Sequence, residues 1–234
     1  MAIAETVLAF DAAGAACSAA VFRGGRVVSR RFEAMTRGHA EALVPMIQAV
    51  MAEAGLSYGD LDVIAVTVGP GGFTGVRIGL ATARGLALAA ARPLLGVTNF
   101  EAVAHAVPET ARGGHDLLVV LDAKRAEVYA QRFPADATTG APPMLAAPEA
   151  LAAELARRPA LLAGDAVDRV APLVAAAGSE IRCAQAPGPT DAAQVAALAA
   201  TRAVPSPDAP LPRPLYLRAP DVSRPKSGSA RARG

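Results

Sequence analysis

The sequence predicts an α/β fold made of two similar halves, and three observations support this. The first half of the 234-residue chain opens with three strand-like apolar runs and continues in the order β-β-β-α-β-α-β-α. An apolar run that ends in an aspartate and then turns into a second strand occurs at Asp11 and again, about 110 residues later, at Asp122. Pro108 with Gly113 and Gly114 separates the two copies, as expected for a duplicated fold.

The elements of the first half follow from hydrophobic periodicity. Strands are predicted at residues 6–10, 17–22 and 26–32, then a helix at 39–54, a strand at 61–68, a helix at 74–91, a strand at 94–97 and a helix at 99–106. Gly24 and Gly25 form the first hairpin turn, and Gly55 ends the first helix. Pro45 predicts a kink or a later start for that helix, and Thr74 is the predicted N-cap of the second.

The second half is less regular. Its predicted elements are strands at 117–121 and 127–133, a helix at 147–156, a short apolar run at 161–163, and an alanine-rich helix that Thr190 caps and that ends near Ala203. Five prolines from Pro205 to Pro214 break regular structure, and residues 214–218 are expected to pack back on the body. The predicted domains are residues 1–107, residues 115–218 and a tail at residues 219–234.

The tail is rich in serine, glycine, proline and arginine, and this composition predicts disorder. From Arg213 onward six basic residues accompany a single acidic residue, Asp221, although the whole chain has a net charge of only +2. Contact with an RNA backbone is the alternative use of such a basic tail.

Composition excludes several classes of protein. Hydrophobic residues make up 53% of the chain, but no run approaches the roughly 20 apolar residues of a membrane helix. The N-terminus has no signal-peptide pattern, so a cytoplasmic protein with no membrane contact is expected. Cys17 and Cys183 form no CxxC motif and are predicted to be ordinary buried thiols. His39, His105 and His115 lack the spacing of a metal site.

Residues 69–77 (GPGGFTGVR) form a glycine-rich loop between a strand and a helix. The loop matches neither a Walker A motif nor G-x-G-x-x-G, so a tight structural turn is favoured over a phosphate cradle, which stays open. Asp11 could hold hydrated magnesium beside such a cradle, but the two alanines after it provide no hydroxyl. Lys124 and Arg125 follow Asp122, which favours a locally neutralised turn carboxylate there. The candidates for a vestigial phosphate loop are Asp11, Gly69, Gly71 and Gly72.

The two helices at 39–54 and 74–91 favour a subunit interface. A stripe of Gly75, Gly79, Ala83 and Ala87 on the second helix would let another helix approach closely, although it could equally pack on the protein's own sheet. The first helix carries more apolar residues than one buried face needs. The candidate partner-binding residues are Leu43, Met46, Ile47, Val50, Gly75, Arg77, Gly79, Ala83 and Arg84.

The assembled motifs resemble the TsaB (YeaZ) family of scaffold proteins for threonylcarbamoyladenosine synthesis on tRNA. The matching stretches are residues 8–19, 68–87, 96–98, 121–129, 164–165 and 214–218, and the long glycine-rich stretch with its helix is the most specific. The resemblance implies an actin/Hsp70/sugar-kinase-like (ribonuclease-H-like) duplicated fold of two half-domains.

The resemblance also implies a function. Such a subunit forms a heterodimer with a catalytic paralogue, TsaD, through its N-terminal helices, and an ATPase, TsaE, docks on that pair. The complex transfers threonylcarbamoyl from its adenylate to the adenosine beside the anticodon of tRNA. This chain is then expected to have no cofactor of its own, since its partners handle ATP and metal. Self-association of the isolated chain through the same helices stays open.

A substitution within the resemblance argues against catalysis. The helix after the paralogue's matching Gly-Val carries a metal-binding His-x-x-x-His pair, and the corresponding positions here are Asn99 and Val103. Neither residue can replace an imidazole at a metal site. Two enzymatic alternatives remain: a kinase or ATPase that uses Asp11 with the glycine-rich loop, and, more weakly, a metallopeptidase.

Overall fold

The computed structural model describes residues 3–135, 139–180, 182–184 and 188–218. The first sheet contains β1 (Thr6–Asp11), β2 (Ala16–Arg23), β3 (Arg26–Ala34), β4 (Val63–Thr67) and β5 (Leu94–Val97), accompanied by α1 (His39–Ala54), α2 (Phe73–Ala90) and α3 (Asn99–Ala106). A short helix, α4 (Glu109–Arg112), leads to β6 (Leu117–Asp122), β7 (Val128–Phe133), β8 (Met144–Ala146), β9 (Leu161–Ala163) and β10 (Arg182–Cys183) of the second sheet. The remaining helices are α5 (Pro148–Arg157), α6 (Val167–Ala176) and α7 (Ala192–Ala200).

The two sheets have the same topology. The first has the order β3-β2-β1-β4-β5 and the second, in the same sense, β8-β7-β6-β9-β10. In each, the first three strands pair antiparallel and the last two lie parallel to the first strand. Asp11 and Asp122 therefore occupy equivalent positions, at the carboxyl ends of β1 and β6. This repetition confirms the predicted duplicated, actin-like fold of two half-domains.

The packing of the helices crosses the predicted boundary between halves. One face of the first sheet packs on α1 and α2, while its other face packs on α7 through Val195, Ala196 and Ala199. Conversely, Phe100 and Val103 of α3 pack among residues of the second sheet. The strands of the first sheet thus come from residues 6–97 and those of the second from residues 117–183, but α7 packs on the first sheet and α3 packs on the second. Residues 219–234, the predicted basic tail, lie outside the described residues.

The helix predicted at 39–54 is confirmed, since α1 begins at His39 and ends at Ala54 with Pro45 in its interior; of the two alternatives for Pro45, the later start is excluded. Two other local predictions are wrong. Gly72, not Thr74, is the N-cap of α2, and no side chain caps that end. Asp191, not Thr190, caps α7 by accepting a hydrogen bond from the Ala193 amide at 2.9 Å. Thr74 lies two residues after the true N-cap of α2, and Thr190 lies one residue before the true N-cap of α7.

Sequence periodicity missed the shorter elements of the second half, namely α4, α6, β8 and β10. Only Cys17 is the buried thiol that was predicted, because Cys183 lies exposed on β10 at the end of the second sheet. The expected return of the C-terminal segment is confirmed: the Leu215 amide donates to the Val68 carbonyl oxygen at 2.7 Å. No helix among the described residues is long and apolar enough to cross a membrane.

Candidate functional site

A cleft of about 620 Å³ lies between the two halves. One wall comprises the turn after β1, the start of α1 and the glycine-rich loop before α2. The facing wall carries Asp122, Lys124 and Asp165 from the second half. The cleft thus lies at the carboxyl ends of β1 and β6, the place where open α/β sheets usually bind ligands.

Asp11 lies beneath this cleft and is completely buried. Its Oδ1 accepts hydrogen bonds from Thr67 Oγ1 at 2.5 Å, Asn99 Nδ2 at 2.9 Å and the Ala13 amide at 3.3 Å. Burial raises the pKa of Asp11 above its ordinary value, although these three hydrogen bonds and nearby His39 act in the opposite direction. Its Oδ2 has no hydrogen-bond partner among the described residues.

The glycine-rich loop packs directly on the turn after β1. The Gly72 amide donates to the Ala13 carbonyl oxygen at 2.7 Å. A Cβ added to Gly71 would collide with that same carbonyl group, and one added to Gly75 would overlap the carbonyl oxygen of Ala12. Glycines are required here because two backbone segments touch. The geometry therefore favours the tight structural turn over the phosphate cradle.

The residues of the cleft do not fit a nucleoside triphosphate with magnesium. The backbone amide of Gly72, which could otherwise bind a phosphate, already donates to the Ala13 carbonyl oxygen. The turn after β1 carries Ala12 and Ala13, which offer no hydroxyl, and Asp11 is sealed beneath them in an environment that favours its protonated form.

The second wall is neutralised by its own ion pairs, as predicted for Asp122. Lys124 Nζ lies 2.9 Å from Asp122 Oδ2, and Arg169 Nη1 of α6 lies 3.0 Å from Oδ1. Burial raises the pKa of Asp122, but hydrogen bonding to Lys124 and the charges of Lys124 and Arg169 outweigh it and lower the pKa overall. Asp165 accepts from the Asp122 amide at 2.8 Å, and its own pKa is raised, mainly by burial. Sequence reasoning missed Arg169 because α6 was not predicted.

The histidines do not assemble into a metal centre. His39 lines the cleft at the start of α1, and its buried Nε2 has no hydrogen-bond partner among the described residues. His115 lies beside Arg182, and His105 lines a different cavity. Within the described part of the chain, no three histidine, cysteine, aspartate or glutamate side chains are grouped as metal ligands would be.

Asn99 and Val103 have different surroundings, although both lie on α3. Asn99 is 2% exposed and connects the end of β1 with the segment before α7, since its Nδ2 donates both to Asp11 Oδ1 and to Thr190 Oγ1, the latter at 3.0 Å. Val103 is buried among apolar residues that include Phe100, Leu117 and Val119. The site that α3 contributes is therefore a buried polar contact with Asp11 on one side and hydrophobic core on the other.

The structure corrects part of the predicted partner surface. Leu43, Ile47, Val50, Gly79 and Ala83 are buried against the first sheet and cannot offer side chains to a partner. Gly75 faces the turn after β1, and Met46 is half-buried against the same core. The stripe of small residues thus serves close packing within the protein, because α2 must approach its own sheet.

Two predicted partner residues remain on the surface, where they hold the C-terminal segment. Arg77 Nε donates to the Tyr216 hydroxyl at 3.1 Å and its guanidinium lies 3.6 Å from the centre of the Phe73 ring. The rings of Phe73 and Tyr216 are 5.4 Å apart, and Arg84 Nη2 donates to the Pro212 carbonyl oxygen at 2.7 Å. Residues 212–216 therefore lie against one edge of α2.

Comparison with known proteins identifies the family. A family model described as TsaD, tRNA N6-adenosine threonylcarbamoyltransferase, matches residues 32–179. The tRNA threonylcarbamoyladenosine biosynthesis protein TsaB of Escherichia coli (strain K12) is 38% identical over 130 residues, 56% of this chain and 55% of that protein. The chain belongs to the TsaB/YeaZ family. The match spans about half the length of that curated relative.

Two further proteins resemble the TsaB/YeaZ chain over nearly its full length. An uncharacterized protein of Mycobacterium tuberculosis (strain ATCC 25618 / H37Rv) is 36% identical over 224 residues, 93% of this chain and 94% of that protein. The crystal structure of a Pseudomonas aeruginosa protein, described as uncharacterized with similarity to peptidase YEAZ, has a TM-score of 0.74 and 28% identity, covering 92% of this chain and all of that one. The family membership thus applies to both halves of the fold.

Proposed function

We propose that this TsaB/YeaZ chain is a non-catalytic scaffold subunit of the complex that transfers threonylcarbamoyl from its adenylate to the adenosine beside the anticodon of tRNA. The observation that carries this proposal is the environment of α3. The family resemblance implies that in the catalytic paralogue the two positions corresponding to Asn99 and Val103 are histidines that bind metal.

The surroundings of these positions support a loss of metal chemistry rather than a change of ligand. The amide of Asn99 is engaged by Asp11 and Thr190, both buried, so it serves the interior of the protein. Val103 is packed in an apolar cluster that offers no donor atom to an ion. A cation placed beside Val103 would lose its hydration without gaining ligands from that cluster, which costs several kcal/mol.

The docking surface that we propose is the exposed face of α1 and α2. It comprises the outward residues Val44, Pro45, Gln48, Ala81, Gly85 and Leu88. Leu88 is 85% exposed and Val44 is 44% exposed, so each of the two helices presents a large apolar side chain that a partner could bury. A Cβ at Gly85 would meet nothing within 4 Å, so a partner helix could approach the backbone closely there.

We propose that a TsaD-type paralogue binds this face and that a TsaE-type ATPase docks on the resulting heterodimer. ATP and metal would then belong to the partner subunits, and tRNA would bind to the complex rather than to this chain alone. This division agrees with a cleft whose residues do not fit a nucleotide. A cytoplasmic location goes with the role.

The docking face is tested by one charged substitution and a matched control. Ala81 and Ala156 are both exposed helical alanines, but only Ala81 lies on the proposed face. Ala81→Arg should abolish co-purification with the TsaD-type partner, because a specific interface of about 800 Å² per partner does not tolerate an unpaired buried charge. Ala156→Arg should leave the complex intact. Equal binding by both variants would remove the face from the proposal.

The scaffold role is tested by reconstitution. Modified tRNA should appear only when this chain, the paralogue and the ATPase are all present, and the chain alone should produce none. Calorimetry of the isolated chain with ATP and magnesium tests the alternative that the chain is a kinase or an ATPase. Tight nucleotide binding, or turnover by the chain purified without companions, would reject the non-catalytic role.

A further inference from the structure

A second cavity, of about 530 Å³, is separate from the cleft and shares none of its lining residues. It lies between α3, α4 and the end of α7 on one side and β7 with the loop at 139–143 on the other. This volume lies within the range of small-molecule sites. Nothing in the proposed scaffold role uses this cavity.

The lining of this second cavity carries one positive charge in excess. Arg202 is neutralised by Glu101, whose Oε1 lies 2.5 Å from Nη2. Arg112 also lines the cavity, but among the described residues it has no ion-pair partner; its Nη2 donates only to the Ala104 carbonyl oxygen, at 2.7 Å. Its Nε is buried and has no hydrogen-bond partner among the described residues. Arg112 is partly buried, and its one buried donor without a partner, Nε, is a group that normally has an acceptor.

The remainder of the lining is mixed. Phe133, Leu198 and Leu215 provide an apolar surface, while Thr98, Gln131 and Thr139 add hydroxyl or amide groups. Ligand sites in proteins typically combine apolar walls with a few polar groups that fix orientation. An occupant that suits this cavity has an anionic end and a compact apolar body.

We propose that the second cavity binds a small organic anion, a carboxylate or a phosphate monoester, with Arg112 as its anion-binding residue. A planar guanidinium with free donors matches the oxygens of either group, and such charge-assisted bonds are about twice as strong as neutral ones. Arg202 stays paired with Glu101, so the charge available to the anion is that of Arg112. The proposal does not depend on the scaffold role.

His105, which also lines the cavity, would couple binding to protonation. Burial lowers its pKa, and the charges of Arg202 and Arg112 lower it further. Glu101, the acidic residue of the lining, is already paired with Arg202. A bound anion offsets the two cationic charges and raises the pKa of His105, so the site takes up a proton as it fills. Anion binding should therefore be stronger at lower pH.

The test uses the full chain with phenyl phosphate and benzoate as anionic probes and benzamide as the neutral analogue. Both anions should saturate in a calorimetric titration and shift the ring resonances of His105, which are assigned with a His105→Gln variant among only three histidines. Benzoate should bind more tightly at about pH 5 than at about pH 8, a range that extends below the ordinary pKa of histidine because the pKa of His105 is lowered. Benzamide should bind weakly or not at all.

Arg112→Gln should weaken the binding of both anions by about tenfold or more. The matched control is Arg92→Gln, because Arg92 also donates to a backbone carbonyl, that of Gly59, and also has an unpartnered buried Nε, but does not line this cavity. Anion binding unchanged in Arg112→Gln, or lost equally in Arg92→Gln, would overturn the proposal. If Arg112→Gln fails to fold, the wild-type titration decides, since equal shifts of His105 with benzamide and benzoate also contradict it.

Discussion

Asn99 Nδ2 donates to Asp11 Oδ1 at 2.9 Å, which ties the first residue of α3 to the last residue of β1 beneath the cleft. Both side chains are almost completely buried, and one oxygen of each, Asp11 Oδ2 and Asn99 Oδ1, has no hydrogen-bond partner among the described residues. The carboxyl group is thus held where its charged form is disfavoured.

Burial of Asp11 predicts a pH dependence of stability. For an acid whose folded-state pKa lies above its unfolded value of about 3.8, the folded state holds the proton more tightly, so its contribution to stability falls as pH rises through that window. Asp11→Asn keeps the shape but cannot ionise. We expect its free energy of unfolding, relative to wild type, to increase between about pH 4 and about pH 7.

Urea unfolding of wild type and Asp11→Asn across this range measures the effect. Asp208→Asn serves as the control, because Asp208 is exposed and substitutions at such positions change stability little. A difference between Asp11→Asn and wild type that stays constant with pH would contradict the raised pKa.

The glycines of α2 should respond oppositely to alanine. Gly75→Ala should lower the free energy of unfolding by about 1–3 kcal/mol, because its Cβ would overlap the Ala12 carbonyl oxygen and force the two backbones apart. Gly85→Ala, on the exposed side of the same helix, should raise it by about 0.5–1 kcal/mol through helix propensity. Chemical denaturation compares the two variants. Similar effects from both would show that the glycine-rich loop does not rest on Ala12.

The C-terminal segment should be held to α2 by the ring contact between Phe73 and Tyr216. A double-mutant cycle with Phe73→Ala and Tyr216→Ala should give a coupling free energy of about 0.5–1.5 kcal/mol, since the rings lie 5.4 Å apart. Tyr216→Phe is the control that keeps the ring and removes only the acceptor used by Arg77. A coupling near zero in denaturant titrations would mean that the two rings act independently.

The two thiols should differ in reactivity. Burial, together with the charges of Asp11 and Glu33, raises the pKa of Cys17 to about 11, whereas Cys183 lies exposed on β10. Ellman's reagent should therefore modify one thiol of the native protein quickly and the second only after unfolding. Cys183→Ser should abolish the fast phase. Rapid modification of both thiols in the wild type would place Cys17 at the surface.

The strands and long helices of the first half could be predicted from sequence because their signals are local. The run before Asp11, the helical spacing of α1 and the turn at Gly24–Gly25 each involve neighbours along the chain. The shorter elements of the second half could not be predicted in this way. Helix α6, for example, contains Pro172 and is stabilised by packing of Val170 and Val174 on distant residues.

The candidate site divides in the same manner. The glycines at 69, 71 and 72 follow from their sequence pattern, but only the structure reveals that Gly71 and Gly72 pack on Ala13 and that Gly69 faces the Leu215 carbonyl oxygen. The neutralisation of Asp122 was predicted from Lys124 next to it, whereas Arg169 comes from a separate helix.

By itself, the sequence determined the duplication, the family resemblance and the presence of asparagine and valine at positions 99 and 103, because these depend on residue identity and order. The tertiary structure alone decided which side of each helix faces the core, why the small-residue stripe of α2 is buried, and that α7 packs across the boundary onto the first sheet. These features depend on contacts between residues far apart in the chain, where the apolar surface that each element buries sets the outcome.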